Sequence, residues 1–211
     1  MQVEIIGENQ SGQRLDKYLK KLLPQAGTGF LYKMLRKKNI TLNGKKAEGS
    51  ELLRKGDEVK FFFSEETFIK FTGSQEQAEI KTKEYLKAYQ KLKGIEVLYE
   101  DAHILVLNKP AGILSQKAAP EDSSLNEWML GYLLQENPSL EKELSSFKPS
   151  VCNRLDINTS GIVLCGKSLP GLQYLSQCIK ERSVQKFYRT VCTGCLDKGE
   201  RISGYLKKDE K

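Results

Sequence analysis

Near the N-terminus, Leu15, Tyr18, Leu19, Leu22 and Leu23 recur at helical spacing, with Arg14, Asp16, Lys17, Lys20 and Lys21 on the opposite arc. The spacing predicts an amphipathic helix over residues 11–23, ended by Pro24, with Asp16 on its solvated side. Phe30, Leu31, Met34 and Leu35 repeat the period and predict a second helix over 29–38, with Lys33, Arg36 and Lys37 facing out. The pattern then shortens. Ile40-Thr41-Leu42 runs into Asn43-Gly44, a hairpin dipeptide, and Lys55-Gly56-Asp57-Glu58 turns the chain into an apolar strand over Val59–Phe63.

Residues 72–94 are rich in Gln, Glu and Lys, headed by Gly73-Ser74 and closed by Gly94, and read as a linker. Ile80, Tyr85, Leu86, Tyr89 and Leu92 allow a helical stretch within it. From Ile95 the order is strand (95–99), turn around His103, and strand (104–107), followed by Asn108-Lys109-Pro110-Ala111-Gly112. A helix is expected around Trp128 (124–134), a surface loop over 135–150 with Pro138 and Pro149, and a buried strand over Gly161–Cys165. Leu172, Leu175, Cys178 and Ile179 space a further helix, and Lys186–Val191 reads as a strand. The class is α+β: a small domain of two helices on a small sheet (1–71), the linker, and a second domain with a mixed, mainly antiparallel sheet (95–211).

The chain has 211 residues and a formal net charge of +7, which suits a polyanionic partner. Its distribution is sharper than its total: Lys17 to Ala47 holds nine Lys or Arg and no Asp or Glu, where a merely solvated face carries both signs. No apolar run approaches the roughly 18 residues of a membrane span, and Met1-Gln2-Val3-Glu4 is not a leader pattern, so a cytoplasmic protein is expected. Five cysteines, an odd number, fit a reducing compartment. Cys192-Thr193-Gly194-Cys195 lacks a second pair, and His103 is the sole histidine, so neither a metal site nor hydrolase chemistry is read here.

The candidate chemistry lies in Asn153-Arg154-Leu155-Asp156-Ile157-Asn158-Thr159-Ser160-Gly161. In an extended segment Arg154 and Asp156 share a face, and a close cation keeps a carboxylate ionised and nucleophilic at neutral pH. The same residue types also make turns, so a strand-entry cap is the competing reading. Arg14-Leu15-Asp16 repeats the tripeptide on the first helix and is read as a decoy. Gly161–Ser168 matches the spelling of a phosphate loop, but its inner residues Ile162-Val163-Leu164-Cys165 make a strand, and Pro170-Gly171 are expected to delay the helix that such a loop needs.

Residues 153–161 resemble the His-Arg-Leu-Asp-x-x-Thr-Ser-Gly signature of RluA-type pseudouridine synthases, with Asn153 in the histidine's place. Asn108–Gly112 resembles the opening of the synthase domain, although the family often continues to a Val-His pair where this chain has Ser115-Gln116, and Lys186-Phe187-Tyr188 resembles the second signature. Residues 11–63 look like the alpha-L RNA-binding motif named after ribosomal small-subunit protein four. The resemblance implies uridine isomerisation in RNA without cofactor or metal, Asp156 being catalytic. It implies that Arg154 pairs with Asp156 and fills the gap left by the flipped base, and that Tyr188 packs on the uracil. Lys17, Lys20, Lys21, Lys33, Arg36, Lys37, Lys45, Lys46 and Asn153 are the expected RNA contacts. It further implies ribosomal RNA as substrate, transfer RNA second, acting as a monomer. The family's catalytic domain is about twice as long as residues 95–211, so this chain is expected to hold its N-terminal part. The rival is a noncatalytic RNA-binding chain.

Overall fold

The computed structural model describes residues 1–72, 75–195, 198–199, 201, 203–205 and 207, with side chains described at all of these except 75–77. The early apolar arcs fold onto a first sheet. Its elements are β1 (Gln2–Ile5), α1 (Leu15–Leu22), α2 (Thr28–Arg36), β2 (Ile40–Leu42), β3 (Lys45–Lys46), β4 (Glu58–Phe61) and α3 (Glu65–Thr72). The sheet runs β1-β4-β2-β3, antiparallel throughout, with Val59 opposite Glu4 and Leu42. Leu15, Leu19 and Leu23 meet Leu35, Ile40, Val59 and Phe61 in its core. α3 closes that core, with Phe68 edge-on to Phe61 at 5.2 Å and Phe71 4.6 Å from Phe30.

Two features of this half depart from expectation. α1 starts at Leu15 rather than Ser11 because the preceding backbone is already bonded. Gly12 N–H donates to Leu53 C=O (2.8 Å) and Gln13 C=O accepts from Leu53 N–H (2.9 Å). The free amides of the first turn then find carbonyls outside the helix, Leu15 N–H at Glu51 and Asp16 N–H at Gly49, both 2.8 Å. β1 was not read from the sequence, since its apolar residues Val3 and Ile5 point outward. The Asn43-Gly44 turn forms as expected, both residues at positive φ (50° and 73°), the geometry a two-residue hairpin needs.

The second half comprises α4 (Gln75–Lys91), β5 (Glu96–Glu100), β6 (Ile104–Lys109), α5 (Leu125–Glu136), α6 (Leu140–Glu143), β7 (Ser150–Val151), β8 (Gly161–Gly166) and α7 (Leu169–Lys180). Its sheet order is β5-β6-β8-β7, again antiparallel. Leu105, Leu107, Val163 and Cys165 turn inward onto α5, whose Leu125, Met129 and Leu130 are fully buried. The stretch read as a linker is more than a tether. Tyr85 and Ala88 of α4 are buried in the second core, and Tyr89 lies 5.4 Å from the Trp128 ring, which stacks on Tyr132.

Residues 135–150 are not a surface loop. Leu140 and Phe147 are buried anchors, and the segment joins the halves: Asn9 Nδ2 donates to Glu143 Oε2 (2.6 Å), Gln10 Nε2 to Ser146 Oγ (2.9 Å), and Lys21 Nζ lies 5.9 Å above the Phe147 ring. α7 begins at Leu169 without delay, because Pro170 sits in the first turn, where its missing N–H is no loss. Residues 186–191, expected as a strand, join no strand among the described residues. A strand exists only beside a neighbour that takes its backbone bonds, and here Phe187 and Val191 are 85% and 99% exposed.

Candidate functional site

The chain between β7 and β8 carries Asn153, Arg154 and Asp156, and its bonds run to two places. Cys152 N–H donates to Leu164 C=O (2.7 Å), and the Asn153 side chain extends that pairing: Nδ2 donates to Ile162 C=O (3.2 Å) while Oδ1 accepts from Leu164 N–H (2.8 Å). A side-chain amide offers donor and acceptor together, as a peptide group does. Asn153, expected among the RNA contacts, therefore has a backbone partner on each side of its amide. Beyond Asp156 the loop leans on residues 109–112. Ile157 C=O accepts from Gly112 N–H (2.7 Å) and from Lys109 Nζ (3.3 Å), and Thr159 N–H closes a turn on Asp156 C=O (3.0 Å).

Lys109 is fully buried, and its ammonium also donates to the carbonyls of Ile113 (2.7 Å) and Pro110 (3.0 Å). Three donors meeting three carbonyls is the full capacity of that group. Burial pulls its pKa down from the ordinary lysine value, and the negative charge of Asp156 opposes that fall. Sequence reasoning missed this residue, though β6 carried the signal: Leu105, Leu107 and Lys109 alternate inward on one face.

Arg154 and Asp156 are both exposed, and among the described residues no ion pair joins them. Residues 154–156 lie outside any strand ladder, so the expected shared face is not enforced. The pairing forms instead at the presumed decoy. Arg14 grips Asp16 through Nε (3.1 Å) and Nη2 (3.2 Å), and Tyr32 Oη donates to Oδ2 (3.1 Å). Asp16 is thus buried rather than solvated, because a one-sided apolar count does not see a partner arriving from α2. Burial raises its carboxyl pKa, the Arg14 and Tyr32 hydrogen bonds lower it, and the balance falls below the ordinary value.

Tyr188 is 68% exposed in the segment after α7, and no hydrogen bond among the described residues ties it to the loop. Lys17, Lys20, Lys33, Arg36, Lys37, Lys45 and Lys46 are exposed on α1, α2, the residue after α2, and β3. Lys21 is exposed too, but it lies toward Phe147 with Nζ 3.4 Å from Gln13 Oε1, and partial burial lowers its pKa. The phosphate-loop spelling resolves as a strand, as read, and Lys167 is committed to Glu100 Oε1 (2.6 Å) and Asp101 C=O (2.7 Å).

The β6–β8 framework and the loop it holds fall within residues 103–211, which match the family model described as RNA pseudouridylate synthase. The chain belongs to that family. Among its relatives, ribosomal large subunit pseudouridine synthase C of Rickettsia felis is 34% identical over 183 residues, 86% of this chain and 55% of that protein. The protein of the same name from Rickettsia bellii is 35% identical over 196 residues, 89% and 58%. That of Salmonella typhi is 30% identical over 194 residues, 92% and 55%. This member of the family thus spans a little over half the length of those relatives.

Proposed function

We propose that the chain acts in the conversion of uridine to pseudouridine in large-subunit ribosomal RNA, with Asp156 as the catalytic carboxylate. The observation that carries the reading is the placement of Asp156 on a loop pinned by a buried lysine, inside the region that matches the synthase family. The isomerisation breaks the bond from ribose C1′ to uracil N1, rejoins C1′ to C5, and removes the C5 proton while N1 takes one up. It needs a nucleophile or charge partner, a dry pocket and a proton acceptor. Asp156 fills the first role, Arg154 the space left by the extruded base, and Tyr188 the wall against the uracil, with proton removal as its second task. Base flipping costs a few kcal/mol, which contacts elsewhere on the RNA offset.

Those contacts are assigned to an alpha-L domain over residues 1–71, through Lys17, Lys20, Lys33, Arg36, Lys37, Lys45 and Lys46, by attraction to phosphates. Ribosomal RNA is preferred to transfer RNA because the relatives are named as ribosomal large subunit enzymes. On the same proposal the chain acts in the cytoplasm, as a monomer. The exposure of Tyr188 favours a second reading, a chain that grips RNA without converting it. Incubating the chain with unmodified ribosomal and transfer RNA and mapping pseudouridine by chemical labelling separates the two. A discrete labelled uridine in ribosomal RNA is expected; RNA bound but unlabelled supports the second reading.

A further inference from the structure

Residues 154–156 lie in no strand, so no ladder fixes where Asp156 sits. The residue just before it is nevertheless held at both backbone groups by one side chain. The Ser115 hydroxyl donates to Leu155 C=O (2.7 Å) and accepts from Leu155 N–H (2.9 Å). One hydroxyl can make both bonds, since it carries one proton and two lone pairs. We propose that Ser115 is a positioning residue for Asp156, an inference that rests on the reading of Asp156 as the catalytic carboxylate.

Ser115 suits the task because it is itself anchored. It is 4% exposed, and its own carbonyl accepts from Asn126 N–H (3.2 Å), an amide of the first turn of α5 that has no partner within the helix. Leu125 N–H likewise holds Leu114 C=O (2.8 Å). Asn126 Oδ1 accepts from Val151 N–H (3.2 Å), so the same helix turn fixes the chain entering the loop and the clamp on its middle. Asp156 is thereby located against a buried helix through a single residue, Leu155. Lys109 and Gly112 act beyond it, at Ile157. Removing the Ser115 oxygen leaves Leu155 with an amide and a carbonyl that must swing toward water to find partners, and Asp156 moves with them.

The test compares the full chain with Ser115→Ala, Ser115→Thr and Asp156→Ala by amide hydrogen exchange and by single-site pseudouridine formation. Ser115→Ala is expected to speed exchange at Leu155 by about tenfold or more while the amides of β6 and β8 keep their protection. Its kcat should fall about a hundredfold with KM little changed, the mark of a displaced reacting group. Ser115→Thr, which keeps the hydroxyl, should restore both. Unchanged exchange at Leu155, or faster exchange with wild-type kcat, overturns the proposal. So does a loss of protection spread over the whole sheet, which makes Ser115 a stability residue only. Conversion that survives Asp156→Ala, or is absent from the unaltered chain, defeats the catalytic reading instead, and exchange at Leu155 still decides whether the clamp exists.

Discussion

Asp16 shows how a partner outside the local pattern changes a residue's chemistry. Its carboxylate is enclosed, yet Arg14 and Tyr32 hold it in the charged form. Asp16→Asn should lower unfolding free energy by about 2 kcal/mol at neutral pH, the loss of charge-assisted hydrogen bonds in a buried setting. A carboxylate whose pKa is lower folded than unfolded adds stability above the unfolded value, about 4, and loses it as pH falls through the folded value. Denaturant unfolding from neutral pH down through that window should show the gap between wild type and Asp16→Asn closing; a constant gap argues against the pair. Arg154 and Asp156 share the same spacing, but both are exposed and no ion pair joins them among the described residues. Spacing marked both tripeptides; only the tertiary surroundings separate them. Lys109 was likewise readable as an inward position of β6, but its three carbonyl partners come from loops the sequence pattern does not place.

Elements with a strong period and a partner close in sequence were legible: α1, α2, the β2–β3 hairpin, α5 and β8 all form near their expected positions. The failures share a cause. β1 turns its apolar residues outward, the allowed helix α4 hides the small apolar side by which it packs among Lys and Glu, and residues 186–191 have the composition of a strand without a neighbour among the described residues. α4 forms because α5 offers it a surface, and the two helices touch closely at Gly131. A Cβ there would lie 2.2 Å from Tyr85 C=O. Alanine is worth about 1 kcal/mol more than glycine inside a helix. The overlap is with backbone, however, so no side-chain rotation relieves it, and α4 must shift. Gly131→Ala is therefore expected to destabilise the chain by about 2 kcal/mol net. Thermal unfolding checks this; a rise in Tm would mean that α4 is free of α5.

Across the molecule, the halves meet where residues 143–147 take up Asn9, Gln10 and Lys21. This contact divides the basic residues into two kinds. All three of Lys21, Lys33 and Arg36 are exposed, but Lys21 leans on Phe147. Binding of ribosomal RNA should weaken linearly in log salt, and Lys33→Ala or Arg36→Ala should each reduce that slope by about 1. Lys21→Ala should leave the slope unchanged. Equal effects at all three positions would place Lys21 on the RNA after all. The central claim is narrower than binding: Asp156 converts a uridine that the rest of the chain only holds. The most direct measurement is pseudouridine formation on ribosomal RNA by the wild type and by Asp156→Ala at matched RNA occupancy. Conversion abolished in the variant with RNA affinity intact is the expected result. Conversion retained in Asp156→Ala would remove Asp156 from the chemistry and contradict the assignment.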